Sequence, residues 1–198
     1  MLKIGLTGGI GSGKSSVSKI LDELGAYIFD ADSIGKKILR TSKIAQNEII
    51  KEFGTDVTGV DGKIQKKKLA KIAFQDESKQ LKLNTIIHPY IFEEIDRTFE
   101  KILKLGKHDN FIVDAALIYE SGADTHMDYV IVVTSHLNLR IERVLQRGDL
   151  TREEFLKRVD LQWPDEDKTN MADFIIKNNS SKENLVKETN RVYYTINY

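Results

Sequence analysis

Eight consecutive residues near the N-terminus, Gly8-Gly9-Ile10-Gly11-Ser12-Gly13-Lys14-Ser15, leave this chain few ways to fold. They carry the spacing G-x-x-x-x-G-K-[ST], with two further glycines inside it. Leu2 to Leu6 ahead of them is short and apolar and reads as a buried strand. Val17, Ile20, Leu21 and Leu24 behind them recur at helical spacing, and Gly25 closes that segment as a C-terminal cap does. Strand, glycine loop and helix in this order make an anion cradle. Glycine permits the positive φ angles that turn successive N–H groups toward one ligand, and the helix start adds its positive dipole end. The predicted ligand is a nucleoside triphosphate. Lys14 neutralises its β and γ phosphates, and Ser15 offers a hydroxyl to Mg²⁺.

Further strands are predicted at Ala26–Phe29, at Phe111–Val113 before Asp114, at Tyr129–Val133 and at Phe174–Ile176, giving about five in all. Helical segments separate them, which argues for a parallel sheet covered on both faces. From Ile34 to about Gly106 the pattern is mainly helical, interrupted between Gly54 and Gly62, and Pro89 is expected to open a fresh helix. The run Lys66-Lys67-Lys68 reads as a solvated helix face.

The 198 residues contain 30 Lys plus Arg and 30 Asp plus Glu, so no global field favours nucleic acid or an acidic membrane surface. The absence of cysteine excludes disulfides, thiolate metal sites and a thiol nucleophile. No apolar run approaches a signal peptide or a membrane span, so the expectation is a soluble cytoplasmic protein, monomeric or weakly homo-oligomeric.

Three constellations accompany the loop. Asp30-Ala31-Asp32 follows the second strand, where an open parallel sheet places its ligands. One of these carboxylates is positioned to take a proton from an attacking hydroxyl, although Asp32 or Ser33 also suits a helix cap. Asp114 ends an apolar strand, the pattern by which such proteins hold Mg²⁺ through water, with Glu120 a second acid nearby. Arg140, Arg143 and Arg147 fall on one helical face, suited either to clamping a transferring phosphoryl group or to a solvated face paired with Glu142 and Asp149. His88, before Pro89, reads either as a ligand contact or as a histidine held at a helix start. Trp163 suits core packing or a base cover, the former being the simpler reading.

Taken together, GLTGGIGSGKS (Gly5 to Ser15), DAD (Asp30 to Asp32), LNTIIHPYI around His88, DAALIYESG (Asp114 to Gly122), RVLQRGDLTREE (Arg143 to Glu154), Gln162 and ADFIIKNNSS (Ala172 to Ser181) resemble the dephospho-CoA kinase family over nearly the whole chain. The departures are small. Lys36 stands for an arginine, Thr41-Ser42 for Pro-Gly, Ala116 for a proline and Ser16 for a threonine.

The resemblance implies an α/β P-loop NTPase three-layer fold. Its core would comprise about residues 1–32, 91–139 and 168–198, with a helical CoA-binding insertion at about 33–90 and a lid at about 140–167. It implies ATP and dephospho-CoA as small-molecule substrates, Mg²⁺ as cofactor, and no nucleic acid or membrane partner. The implied catalytic groups are Asp32, Lys14 and Arg143. ATP contacts fall to Gly9, Ile10, Gly11, Ser12, Gly13, Lys14, Ser15, Ser16, Arg143 and Arg147, and substrate contacts to Asp30, Asp32, Lys36, His88, Leu117 and Glu120. Ser15 and, through water, Asp114 hold the metal. The nearest rival is another small-molecule kinase of the same fold. A GTP switch is disfavoured, because N-K-x-D is absent and Leu117 stands where such proteins need glycine.

Overall fold

A computed structural model describes residues 1–148 and 150–198; Asp149, one of the two acids considered above as partners for the arginines, lies outside them. The chain divides into two compact units, Met1–Asp30 with Phe99–Tyr198, and Ala31–Thr98. The first contains a sheet of five strands, β1 (Leu2–Thr7), β2 (Tyr27–Asp30), β3 (Asn110–Asp114), β4 (Tyr129–Thr134) and β5 (Phe174–Lys177). All neighbours are parallel, in the order β2-β3-β1-β4-β5. The five strands expected from the sequence are all present.

The first helix, α1 (Lys14–Glu23), ends where Gly25 adopts φ 96°. Gly25 N–H donates to the Asp22 carbonyl and Ala26 N–H to that of Leu21, closing the last turn as a Schellman motif. Ala26 is therefore part of the cap, and β2 starts one residue later than its apolar run suggests. Alternation within β1 sends Ile4 and Leu6 into a core shared with Val17, Ile20 and Leu21 of α1, Ile112 of β3, Ile131 and Val133 of β4, and Leu185 and Val192 of the last helix, α9 (Lys182–Asn197). Each such side chain contributes about 1.5–3 kcal/mol when fully buried. The glycine loop is thus mounted between a strand and a helix that are both anchored in this core.

This unit also contains α6 (Leu137–Arg147), α7 (Arg152–Asp160), α8 (Asp165–Met171) and a short 3₁₀ turn at Ala123–His126. Thr151 caps α7 through a reciprocal pair of hydrogen bonds with Glu154.

The second unit comprises α2 (Ala31–Thr41), α3 (Lys43–Phe53), a short 3₁₀ turn at Thr55–Val57, α4 (Lys66–Ala73) and most of α5 (Glu77–Leu105). Ile38, Ala45, Ile49, Val57, Leu69, Ala73, Leu83 and Ile87 form its own core. Lys66, Lys67 and Lys68 are exposed on the first turn of α4, as expected of a solvated face. Pro89 does not open a helix. It lies inside the 29-residue α5, where it lacks the N–H that would reach the Thr85 carbonyl. Leu83 and Ile87 on its N-terminal side and Ile95 beyond it are all buried, so packing holds the helix across a residue that locally disfavours it. Among the described residues no helix is long and apolar enough to cross a membrane.

Candidate active site

Strand register gathers the charged groups. Leu6 of β1 and Asp30 of β2 both pair with Asp114 of β3, so the glycine loop and two aspartates leave the sheet at the same, carboxyl, end. Lys14, the first residue of α1, reaches across to Asp114 and forms an ion pair with its Oδ1, the two side chains being 17% and 11% exposed. The N-cap of α1, Gly13, is left-handed at φ 98° and offers no side-chain cap, and the first turn contains no acid. Nothing negative on α1 itself competes with an anion there. Ser15 and Ser16 are exposed on that turn.

Side chains from three segments of the chain brace the loop. Ile10 N–H donates to Gln162 Oε1 at 2.9 Å, and Arg140 Nε donates to the Ile10 carbonyl at 2.8 Å. Asn178 Nδ2, buried just after β5, donates to the Ser12 carbonyl at 2.8 Å. A guanidinium nitrogen of Arg143 donates to the Asn178 carbonyl at 2.9 Å, and its neighbour to Ser135 Oγ at 3.1 Å. A side chain at Gly9 would collide with the Arg140 guanidinium and Asp165, and one at Gly13 with the Asn178 amide. Both glycines are therefore required by close approach, and Gly13, at φ 98°, by conformation as well. Ser12 Oγ is buried and finds no hydrogen-bond partner among the described residues.

The three arginines of α6 differ in setting. Arg140 is 4% exposed and ion-paired with Asp165 at the start of α8, which rules out a solvated face for it. Arg143 is half-buried beside the loop carbonyls, and Arg147 is exposed at the helix end. Glu120 accepts from Lys168 Nζ at 2.7 Å and from Trp163 N–H at 3.0 Å; its side chain is 10% exposed and that of Lys168 is 0% exposed. Leu117 lies half-buried in the same turn after β3. Trp163 is not a core residue. It is 43% exposed and stacks on Tyr119, because Pro164 caps α8 immediately after it and keeps the chain at the surface.

In the second unit, Asp32 and Ser33 lie within the first turn of α2 rather than ahead of it, so neither occupies the cap position. Asp32 and Lys36 are exposed on that helix, and Asp30 is exposed at the end of β2. His88 stands in mid-helix next to Phe92, not at a helix start. Burial lowers its pKa from 6.5. A depressed histidine contributes stability above its unfolded pKa and loses it as pH falls through the folded value. Thermal melts of the parent should therefore weaken below about pH 6.5, and His88→Gln should flatten that part of the profile; an unchanged profile would contradict the burial effect.

Asn178, Ser135, Asp165 and Lys168 escaped sequence reasoning as site residues. Asn178 had a signal, since it lies in a motif already noted, whereas the other three had none.

A parallel 2-3-1-4-5 sheet with a lysine-bearing glycine loop on β1 and an aspartate ending β3 defines a P-loop kinase. The dephospho-CoA kinase family model matches residues 2–184. A dephospho-CoA kinase of Fusobacterium nucleatum is 42% identical over 194 residues, covering 98% of this chain and 97% of its own. Among solved structures, dephospho-CoA kinase from Campylobacter jejuni is 30% identical with a TM-score of 0.68, covering 98% of this chain and 96% of its own. The protein TT1252 from Thermus thermophilus superposes with a TM-score of 0.81 at 26% identity, covering 98% of this chain and 97% of that one. The chain belongs to the dephospho-CoA kinase family.

Proposed function

We propose that this chain transfers the γ-phosphate of ATP to the ribose 3′-hydroxyl of dephospho-CoA, with Asp32 as the base. The observation that carries the reading is the Lys14–Asp114 pair beneath an uncapped helix start. ATP binds with its phosphates against the backbone N–H groups from Gly9 to Ser16, and Lys14 exchanges its carboxylate partner for the β and γ phosphates. Ser12 Oγ, buried without a hydrogen-bond partner among the described residues, adds a donor at the same loop.

Ser15 directly and Asp114 through water would hold Mg²⁺, since both offer the hard oxygen donors it prefers and phosphates and water would complete the shell. When bound, Mg²⁺ neutralises charge on the triphosphate. Asp32 accepts the proton of the 3′-hydroxyl as its oxygen bonds to the γ-phosphorus and the bond to the β,γ-bridging oxygen breaks, leaving ADP. Arg143, with Arg147 further along α6, contributes positive charge toward the transferred group. Asp30, Lys36 and His88 serve the acceptor side. Glu120 acts there indirectly, holding the turn that carries Leu117, since its carboxylate is committed to Lys168. The Ala31–Thr98 unit corresponds to the CoA-binding insertion, and the α6 to α8 region to a lid that excludes water.

Asp32→Asn is the direct test of the base. It should lower kcat by about 10²–10⁴-fold while the ATP KM stays within about twofold. Near-normal turnover would remove Asp32 from the chemistry.

A further inference from the structure

Ile10 sits in the middle of the loop, and both of its backbone polar groups are engaged from outside it, the N–H by Gln162 and the carbonyl by Arg140. Each of these side chains is anchored in turn. Arg140 is buried and paired with Asp165. Gln162 is fixed through its backbone: its own N–H donates to the Val159 carbonyl at 3.0 Å, and the N–H of the next residue, Trp163, donates to Glu120. Glu120 is held by the fully buried Lys168, which also reaches the Ala116 carbonyl. The contact at Ile10 therefore ends a chain of bonds that starts in the turn after β3.

We infer that Gln162 is a positioning residue for ATP, one jaw of a clamp that holds the loop in its nucleotide-binding form before ATP arrives. The inference rests on the reading that this loop binds ATP. Four of the eight residues from Gly8 to Ser15 are glycines, the residue type that loses most freedom on ordering. A loop left to be ordered by its ligand weakens binding by the cost of that ordering. Gripping Ile10 on both sides removes the cost beforehand. An amide suits the position better than a carboxylate. Either accepts the N–H, but a carboxylate would bring negative charge to a loop whose ligand is a polyanion.

Gln162→Met keeps the side-chain length and removes the acceptor, and Gln162→Ala removes the side chain. In each variant, amide hydrogen exchange at Ile10 in the free protein should accelerate about tenfold or more. The Mg·ATP Kd measured by calorimetry should rise about tenfold, with the dephospho-CoA KM within about twofold of the parent. A merely structural role would lower the melting temperature and the apparent kcat and leave the ATP Kd in place. An ATP Kd within about twofold of the parent in both variants, or protection at Ile10 retained, overturns the clamp. Failure of the parent itself to bind Mg·ATP would instead overturn the reading of the loop.

Discussion

Lys14→Met lowers kcat/KM for the phosphoryl transfer by about 10³-fold, roughly 4 kcal/mol of transition-state stabilisation. The lysine is a single charge at the mouth of a loop that otherwise offers only dipoles, and phosphoryl transfer depends on positioning and charge neutralisation. The same substitution leaves the buried carboxylate of Asp114 without the ammonium that pairs with it here, so the melting temperature should fall as well. The two effects separate in Lys14→Met/Asp114→Asn. That variant restores most of the melting temperature, because the Asp114 carboxylate is no longer left charged, and it stays inactive, since Lys14 and Asp114 both serve the reaction. Recovery of both together would show that Lys14 acts on stability alone.

The second large effect lies away from the phosphates. Lys168 is fully buried, and its ammonium faces Glu120, whose second carboxylate oxygen is buried without a hydrogen bond. Lys168→Met strands that carboxylate, and breaking a buried pair from one side costs about 3–5 kcal/mol. For a chain of this size that is a fall in melting temperature of roughly 6–20 °C. Lys168→Met/Glu120→Gln should recover most of it, since the charge is then gone from both sides. Calorimetric melts of the two variants against the parent decide the matter, and a single variant melting within about 2 °C of the parent contradicts the account.

The parts of the fold that local physics controls were legible in the sequence. Strand β1, the loop and α1 follow from apolar runs, glycine conformations and helical spacing within about twenty-five residues, and the Gly25 cap falls where the pattern places it. Pro89 was misread because its local preference opposes a helix interior, whereas burial of Leu83, Ile87 and Ile95 in the folded chain favours one. Trp163 was misread for the complementary reason, an aromatic side chain placed by the proline beside it rather than by its hydrophobicity.

The site divides in the same way. Lys14, Ser15, Asp30 and Asp114 could be nominated because each ends a strand or starts a helix. The bracing of the loop could not, since Arg140 meets an acid 25 residues away and Asn178 reaches a carbonyl 166 residues away. Arginine spacing on α6 showed that the three side chains share a helix face, and only tertiary packing distinguishes the buried Arg140 from the exposed Arg147. Nothing in the neighbourhood of Lys168 marks it as buried, because its partner Glu120 lies in a different turn of the chain.

The central claim is the acceptor. Incubating the purified chain with Mg·ATP and dephospho-CoA and weighing the products should show CoA, heavier than its precursor by one phosphoryl group, with ADP formed in equal amount. Absence of CoA, with another small alcohol phosphorylated in its place, would contradict the account.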